Sequence, residues 1–219
     1  MRSITTDPES TFSAQRRRFV GMTGALALST WLPARAALAV EHDHQHHHDD
    51  AAAPGVKRSE LQIRLPEVAL VRQDGARVGL AKELDERSQP VFLTFIYTSC
   101  TTVCPVISKI FSDLQGALGP DLNRVKLVSV SIDPEYDTPG RLSDYANRFG
   151  AKPQWQSYTG TLAASVAVQK AFNTYRGDKM NHTPVAFVRA APGKPWVRYD
   201  GFVSPQALVQ EYRAQLGKA

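Results

Sequence analysis

From Val91 the sequence reads Val-Phe-Leu-Thr-Phe-Ile-Tyr, and the run stops at Thr-Ser-Cys-Thr-Thr-Val-Cys-Pro. It is β-branched and aromatic, with almost no polar alternation. A strand with that pattern has to be buried on both faces, which places it centrally in a sheet covered by helices. Beyond the cysteines, Val106, Ile107, Ile110, Phe111, Leu114 and Leu118 recur at helical spacing until Gly119-Pro120 ends the repeat. Cys100 and Cys104 therefore stand where a buried strand passes into a helix. They are the only two cysteines in 219 residues. A disulfide gains most by closing a long loop, and one between residues four apart closes almost nothing. The pair reads as a site rather than a staple.

The chain around this junction alternates strands and helices. Leu61-Gln62-Ile63-Arg64-Leu65 alternates like a half-buried strand. Val68 to Val71 and Gln73 to Val78 form a hairpin turning at Asp74-Gly75. Val125 to Ile132 is a second buried strand, ended by Asp133-Pro134. Thr138 to Phe149 reads as a helix with Pro139 in its first turn, and Thr161 to Tyr175 as another. Val185 to Val188 and Trp196 to Tyr199 flank the turn Ala191-Pro192-Gly193-Lys194. Ser204, as N-cap, and Pro205 open a final helix to Leu216. This order predicts an α/β fold with a mixed central sheet flanked by helices and an N-terminal β-hairpin. One domain over 59–219 is the simplest partition.

At 42% hydrophobic and 21% charged, the chain can bury a sizeable core. Its formal charge of +5 gathers near the start, where residues 1–39 hold five basic and two acidic side chains. Subtracting these from 26 basic and 21 acidic leaves 21 against 19, so no basic face argues for nucleic acid. Gln15-Arg16-Arg17-Arg18-Phe19-Val20, followed by an uncharged apolar run to Leu32, resembles a bacterial twin-arginine export signal. The run is short for a membrane span, which needs about 20 apolar residues. Ala37-Leu38-Ala39 reads as an A-x-A cleavage site, placing the mature start at Val40, with an uncleaved membrane anchor as the alternative. The expected route uses the export machinery. The expected destination is the periplasm, an oxidising compartment where cysteines persist as disulfides or metal ligands.

Residues 40–58 then read as a flexible tail. Five of the six histidines, His42, His44, His46, His47 and His48, are interleaved there with carboxylates. Neutral imidazoles bind copper, zinc and nickel, so weak metal capture stands beside a plain solvated linker as the reading of this segment.

At the junction itself, a helix N-terminus favours thiolate over thiol. Residues four apart on a helix bring two sulfurs near bonding or chelating range. Thiolate is both the nucleophile of disulfide exchange and a soft ligand for Cu(I), and local chemistry leaves both uses open. His182, in Met180-Asn181-His182-Thr183-Pro184, is the only histidine outside the tail. Its loop enters a strand expected beside Val91–Tyr97, and sites in such sheets gather at loops beside the ends of central strands. Two thiolates and this imidazole would make an open three-ligand copper site. Asp133 is either a carboxylate supporting that site or an Asp-Pro turn. Met180 is either a soft thioether ligand or a gap-filler.

Phe95-Ile96-Tyr97-Thr98-Ser99-Cys100-Thr101-Thr102-Val103-Cys104-Pro105 resembles the C-x-x-x-C-P signature of the Sco/SenC copper chaperones. Val130 to Pro139, reading V-S-I-D-P-E-Y-D-T-P, is similar to that family's second hallmark, and His182 stands where the family places its third ligand. The resemblance covers about Leu61 to Leu216. It implies a thioredoxin-like fold, one copper held by Cys100, Cys104 and His182, and a role at the dinuclear copper site of a respiratory oxidase, whose copper-site subunit is the expected partner. Asn181 departs from the family's common aspartate. Thr183-Pro184 is similar to the Thr-Pro of thioredoxins, where a cis proline receives substrate peptide. It supports the alternative, a thiol–disulfide oxidoreductase using Cys100 and Cys104 with a cis-Pro substrate loop.

Overall fold

The computed structural model describes residues 55–85 and 88–217. The chain divides into Met1–His46 and His47–Ala219, and all described residues belong to the second unit. The segment expected to be an export signal and the tail histidines His42, His44, His46, His47 and His48 lie outside the described residues.

The described residues form the expected α/β architecture, with eight strands in one mixed sheet. The strands are β1 (Lys57–Leu61), β2 (Ala69–Arg72), β3 (Arg77–Gly79), β4 (Val91–Ile96), β5 (Lys126–Ser131), β6 (Trp155–Gly160), β7 (Val185–Arg189) and β8 (Trp196–Asp200). Their order across the sheet is β1-β8-β7-β4-β5-β6-β2-β3. Strands β4, β5 and β6 run parallel, and the remaining pairs are antiparallel. The helices are α1 (Leu80–Asp85), α2 (Val103–Leu118), α3 (Pro139–Arg148), α4 (Leu162–Ala171) and α5 (Pro205–Leu216). Helices α2 and α5 pack on each other, α5 lies against β7, and α3 and α4 lie against β6.

Strand β4 is buried at all six positions, which is why its sequence shows no alternation. Edge-to-face contacts among Phe95, Phe172, Phe187 and Trp196 fill the core beside it. The hairpin β2–β3 forms as expected, turning through Gly75 at φ +86, a left-handed conformation suited to glycine.

Two expectations are corrected. The first strand is Lys57–Leu61, paired with β8, and not Leu61–Leu65. Leu61, Ile63 and Leu65 do pack partly buried against the core, so their alternation reports burial rather than strand pairing, and Pro66 has no N–H to continue a ladder. The folded part thus starts at least two residues before 59. The helix expected to reach Tyr175 ends at Ala171, where the chain turns away through Asn173 at φ +52.

Register puts the functional loops at one end of the sheet. Ile96 pairs with Ser131 on the parallel neighbour, and Thr94 pairs with Ala186 on the antiparallel one. The loops after β4 and β5 and the loop before β7 therefore emerge together, at the carboxyl ends of the parallel strands.

Two buried carboxylates tie the outer strands and helices to this frame. Glu83 Oε1 accepts from Lys126 Nζ at 2.6 Å and from Tyr158 Oη at 2.8 Å. Glu211 accepts from Arg58 Nε at 2.8 Å and from Tyr199 Oη at 2.8 Å, pinning β1 to α5. Burial pushes both carboxyls up, but these donors more than offset it and both are held below the usual carboxylate range. The unfolded chain then binds more protons than the folded one as pH falls, so this stability is fully present above about pH 4.5 and is lost as pH drops through the folded-state values. Urea midpoints measured from pH 7 to pH 3 should fall below about pH 4.5. Glu83→Gln should cost about 1–3 kcal/mol at pH 7 and flatten that fall. An unchanged acid limb in Glu83→Gln would show that Glu83 plays no part in it.

Candidate metal centre

The cysteine junction is built around an unusual helix start. Thr102 occupies the N-cap of α2, yet its hydroxyl makes no capping bond. Sulfur replaces it: the backbone N–H of Cys104 donates to Cys100 Sγ at 3.4 Å. Cys100 is held by its own N–H donating to the Tyr97 carbonyl at 3.1 Å, and its sulfur lies 3.7 Å from Thr102 Oγ1. Both cysteines are free and buried, Cys100 at 6% exposure and Cys104 at 0%.

The two thiols are electrically unequal. Burial pushes Cys100 up, but the N–H groups of Cys104 and Thr102 and the Tyr97 hydroxyl outweigh it and bring the thiol down to about 7. Burial also pushes Cys104 up, and the neighbouring Cys100 and Asp137 add to that, so it stays a thiol well above the ordinary cysteine range. Near neutral pH the pair is thus a thiolate beside a thiol.

The turn that aims Cys100 is held by a residue that the sequence reading passed over. Asp137 is 0% exposed. Its carboxylate accepts from Thr98 N–H at 3.1 and 3.2 Å, from Thr98 Oγ1 at 2.5 Å and from Ser131 Oγ at 2.6 Å. It ties the loop after β4 to the end of β5, two residues before Cys100. Asp133, the carboxylate expected near the site, instead accepts from Lys179 Nζ at 2.6 Å. The turn Asp133-Pro134-Glu135-Tyr136 folds back on itself, with Asp137 N–H donating to the Asp133 carbonyl at 2.8 Å, and this carries the second aspartate inward. Both aspartates sit in one motif. Spacing alone does not say which turns toward the cysteines.

His182 lies at the same end of the sheet, buried at 8% exposure. Its Nε2 is 3.1 Å from the Phe95 carbonyl, an acceptor only, so this nitrogen carries the proton and Nδ1 is left with a free lone pair. Burial lowers its proton affinity, so the ring is neutral, the form a metal ligand needs. The ring lines a cavity of about 190 Å³ whose walls include Ile132, Leu162, Gln169, Tyr175 and Lys179. Among the described residues no three His, Cys, Asp or Glu side chains converge on one point. The structure thus brings Cys100 and Cys104 together and keeps His182 nearby, outside a closed ligand set.

The cis-proline substrate loop expected at Thr183-Pro184 is not formed: every described peptide bond is trans. His182 is already extended, at φ −65 and ψ 132. The chain runs straight into β7, and the Pro184 carbonyl accepts the Gly201 N–H at 2.9 Å. Met180, on a short 3-10 turn at Lys179–Asn181, is exposed, with Sδ 3.8 Å from Tyr97 Oη.

Comparison with known proteins identifies the family and the fold. The family model SCO1/SenC matches residues 61–217. The SCO1 protein homolog of Bacillus subtilis (strain 168) is 36% identical over 90 residues, which are 40% of this chain and 45% of that relative. The match therefore spans less than half of that protein's length. The structure of Bradyrhizobium japonicum ScoI with copper bound is 25% identical with a TM-score of 0.59, over 70% of this chain and 99% of that one. BsSco, a member of the Sco family of cytochrome c oxidase assembly proteins in which a disulfide switch was identified, is 23% identical with a TM-score of 0.62. That match covers 74% of this chain and 98% of BsSco. The shared fold is thioredoxin-like, and the chain belongs to the SCO1/SenC family.

Proposed function

We propose that this protein is a periplasmic copper chaperone that carries one copper ion on Cys100, Cys104 and His182 to the dinuclear copper site of a respiratory oxidase. The observation that carries this reading is the thiolate–thiol pair at the start of α2, with a neutral imidazole in the loop beside it. Soft thiolates select Cu(I) over the harder divalent ions. Cys100 offers its thiolate near pH 7 without prior deprotonation, and Cys104 gives up its proton to solvent as its sulfur binds. His182 already has Nδ1 free, because Phe95 fixes the tautomer. Recruiting it requires the loop before β7 to swing the ring from its cavity toward the cysteines. A site completed only by a moving ligand suits cargo that must be released.

Exposed apolar residues surround this end of the sheet. Val106 lies in the first turn of α2, Tyr136 follows β5, Leu162 follows β6, and Phe202 follows β8, each exposed above 40%. Such a collar fits docking on a protein partner. The tail histidines His42, His44, His46, His47 and His48 are read as an auxiliary, weaker copper-gathering segment. The twin-arginine-type signal is read as the route of export. No described helix is long and apolar enough to cross a membrane.

Anaerobic Cu(I) titration of the reduced protein against a competing chelator tests this. One tight equivalent is expected. His182→Ala should weaken it by at least about 10-fold, or 1.4 kcal/mol. Replacing the five tail histidines should remove only weaker equivalents. Unchanged affinity in His182→Ala would remove His182 from the ligand set.

A second reading rests on the same free dithiol. Cys100 thiolate can attack a substrate disulfide, and Cys104 then displaces the substrate thiol, leaving Cys100–Cys104 oxidised and the substrate reduced by two electrons. Turnover of a model disulfide that vanishes in Cys100→Ser and survives His182→Ala would favour this second reading. With Pro184 trans, it lacks the substrate loop that would have supported it.

A further inference from the structure

Met180 has no structural task that explains its position. It is the most exposed large hydrophobic among the described residues, at 72%, and leaving an apolar side chain in water brings no stability. Yet its backbone is tightly held. Asp178 Oδ1 accepts the Met180 N–H at 2.9 Å and so caps the turn. Lys179, the next residue back, is anchored by Asp133 at 2.6 Å and stands 5.7 Å from the centre of the Tyr97 ring. These contacts hold the thioether over Tyr97, with Sδ 3.8 Å from the hydroxyl oxygen. The same residue holds Cys100, whose N–H donates to the Tyr97 carbonyl at 3.1 Å. Cys100 and Met180, from loops 80 residues apart in sequence, are thus both held against Tyr97 at the cysteine end of the sheet. The imidazole of His182, two residues further on, is instead buried, with Nε2 on the Phe95 carbonyl.

We propose that Met180 is a copper ligand of this chain, a thioether that joins Cys100 and Cys104 in holding Cu(I). This rests on the copper-binding reading above. A thioether is neutral and soft, so it adds affinity for Cu(I) and little for Cu(II). Three rotatable bonds let the side chain close on an ion without moving the anchored backbone. Met180 then completes a three-sulfur site while His182 is still in its cavity. The exposed thioether and the buried imidazole are alternative third ligands from one loop, one available at once and one only after the loop moves. Binding exchanges ligands without redox change: copper keeps its charge, Cys104 loses its proton, and Met180 loses none.

Selenium labelling tests this directly. The chain has three methionines, Met1, Met22 and Met180, and only Met180 lies beyond the signal. In the full chain carrying Met22→Leu and grown on selenomethionine, X-ray absorption at the selenium edge after loading with one Cu(I) should show copper in the first shell. That signal should be lost in Met180→Leu, which should also lower Cu(I) affinity about 10-fold and leave Cu(II) affinity unchanged. The copper edge, recorded on the same samples, separates the outcomes. Sulfur around copper with only carbon around selenium would overturn the assignment of Met180 and leave the copper-chaperone reading standing. A copper edge without sulfur would overturn both. Affinity losses equal for Cu(I) and Cu(II) in Met180→Leu would mark Met180 as a packing residue and also overturn its role as a ligand.

Discussion

Replacing Cys104 by serine should lower Cu(I) affinity by at least about 1,000-fold, equivalent to about 4 kcal/mol. Replacing Cys100 should do the same. A serine hydroxyl is a hard, protonated donor at neutral pH and cannot stand in for a thiolate toward Cu(I). The two variants should nonetheless differ in a second measurement, because the cysteines sit in different fields. Cys100 accepts the N–H of Cys104 at the start of α2 and is brought down to about 7, whereas burial keeps Cys104 a thiol. In the reduced, copper-free protein, iodoacetamide should therefore modify Cys100 first, with the rate rising through half its maximum near pH 7. Cys104→Ser should keep this reactive thiol and Cys100→Ser should lose it. Copper bound at both sulfurs should block alkylation altogether. Retention of tight copper by Cys104→Ser would show that one thiolate is enough and would end the paired-site reading.

Asp137→Ala is expected to be the most damaging substitution outside the ligands, costing about 3 kcal/mol of stability. The carboxylate is fully buried and accepts from Thr98 N–H, Thr98 Oγ1 and Ser131 Oγ. Removing it leaves buried donors without a partner, at about 1–3 kcal/mol for each such group, and also leaves a cavity. Urea denaturation at neutral pH measures the loss. The effect should reach the site as well, since Asp137 holds the turn that sets Cys100 against the start of α2. Asp137→Asn keeps the shape but removes the negative charge that helps push the Cys104 thiol up, so alkylation of Cys104, followed in a Cys100→Ser background, should shift to lower pH. A profile unchanged from that of Cys100→Ser alone would confine Asp137 to a purely structural role.

These two residues show where sequence reasoning succeeds and where it stops. The cysteines were legible because their signal is local: a run with no polar alternation must be buried, and cysteines at its end, four apart and without other partners, are poorly explained as a staple. Asp137 was not legible. It sits in the same motif as Asp133, and both precede turns or helix starts. The hydrogen bond from Asp137 N–H back to the Asp133 carbonyl swings Asp137 inward, while Lys179, 46 residues later in sequence, takes up Asp133. Leu61 to Leu65 failed for a related reason, since alternation records which side chains are covered and not whether the backbone has a strand partner.

The sequence by itself determined the α/β order of elements, the buried central strand, and the placing of both cysteines at its end. Each follows from periodicity and turn chemistry within a dozen or so residues. Only the tertiary structure decided what surrounds the sulfurs, because those neighbours arrive from loops far apart in sequence. Sheet register brings Ser131 beside Ile96 and Ala186 beside Thr94, so the loops bearing Asp137, Met180 and His182 meet the cysteine turn at one end of the sheet. Contacts between those loops then aim Asp137 at Thr98, seat the His182 ring on the Phe95 carbonyl, lay Met180 across Tyr97, and carry Pro184 into β7 in the trans form.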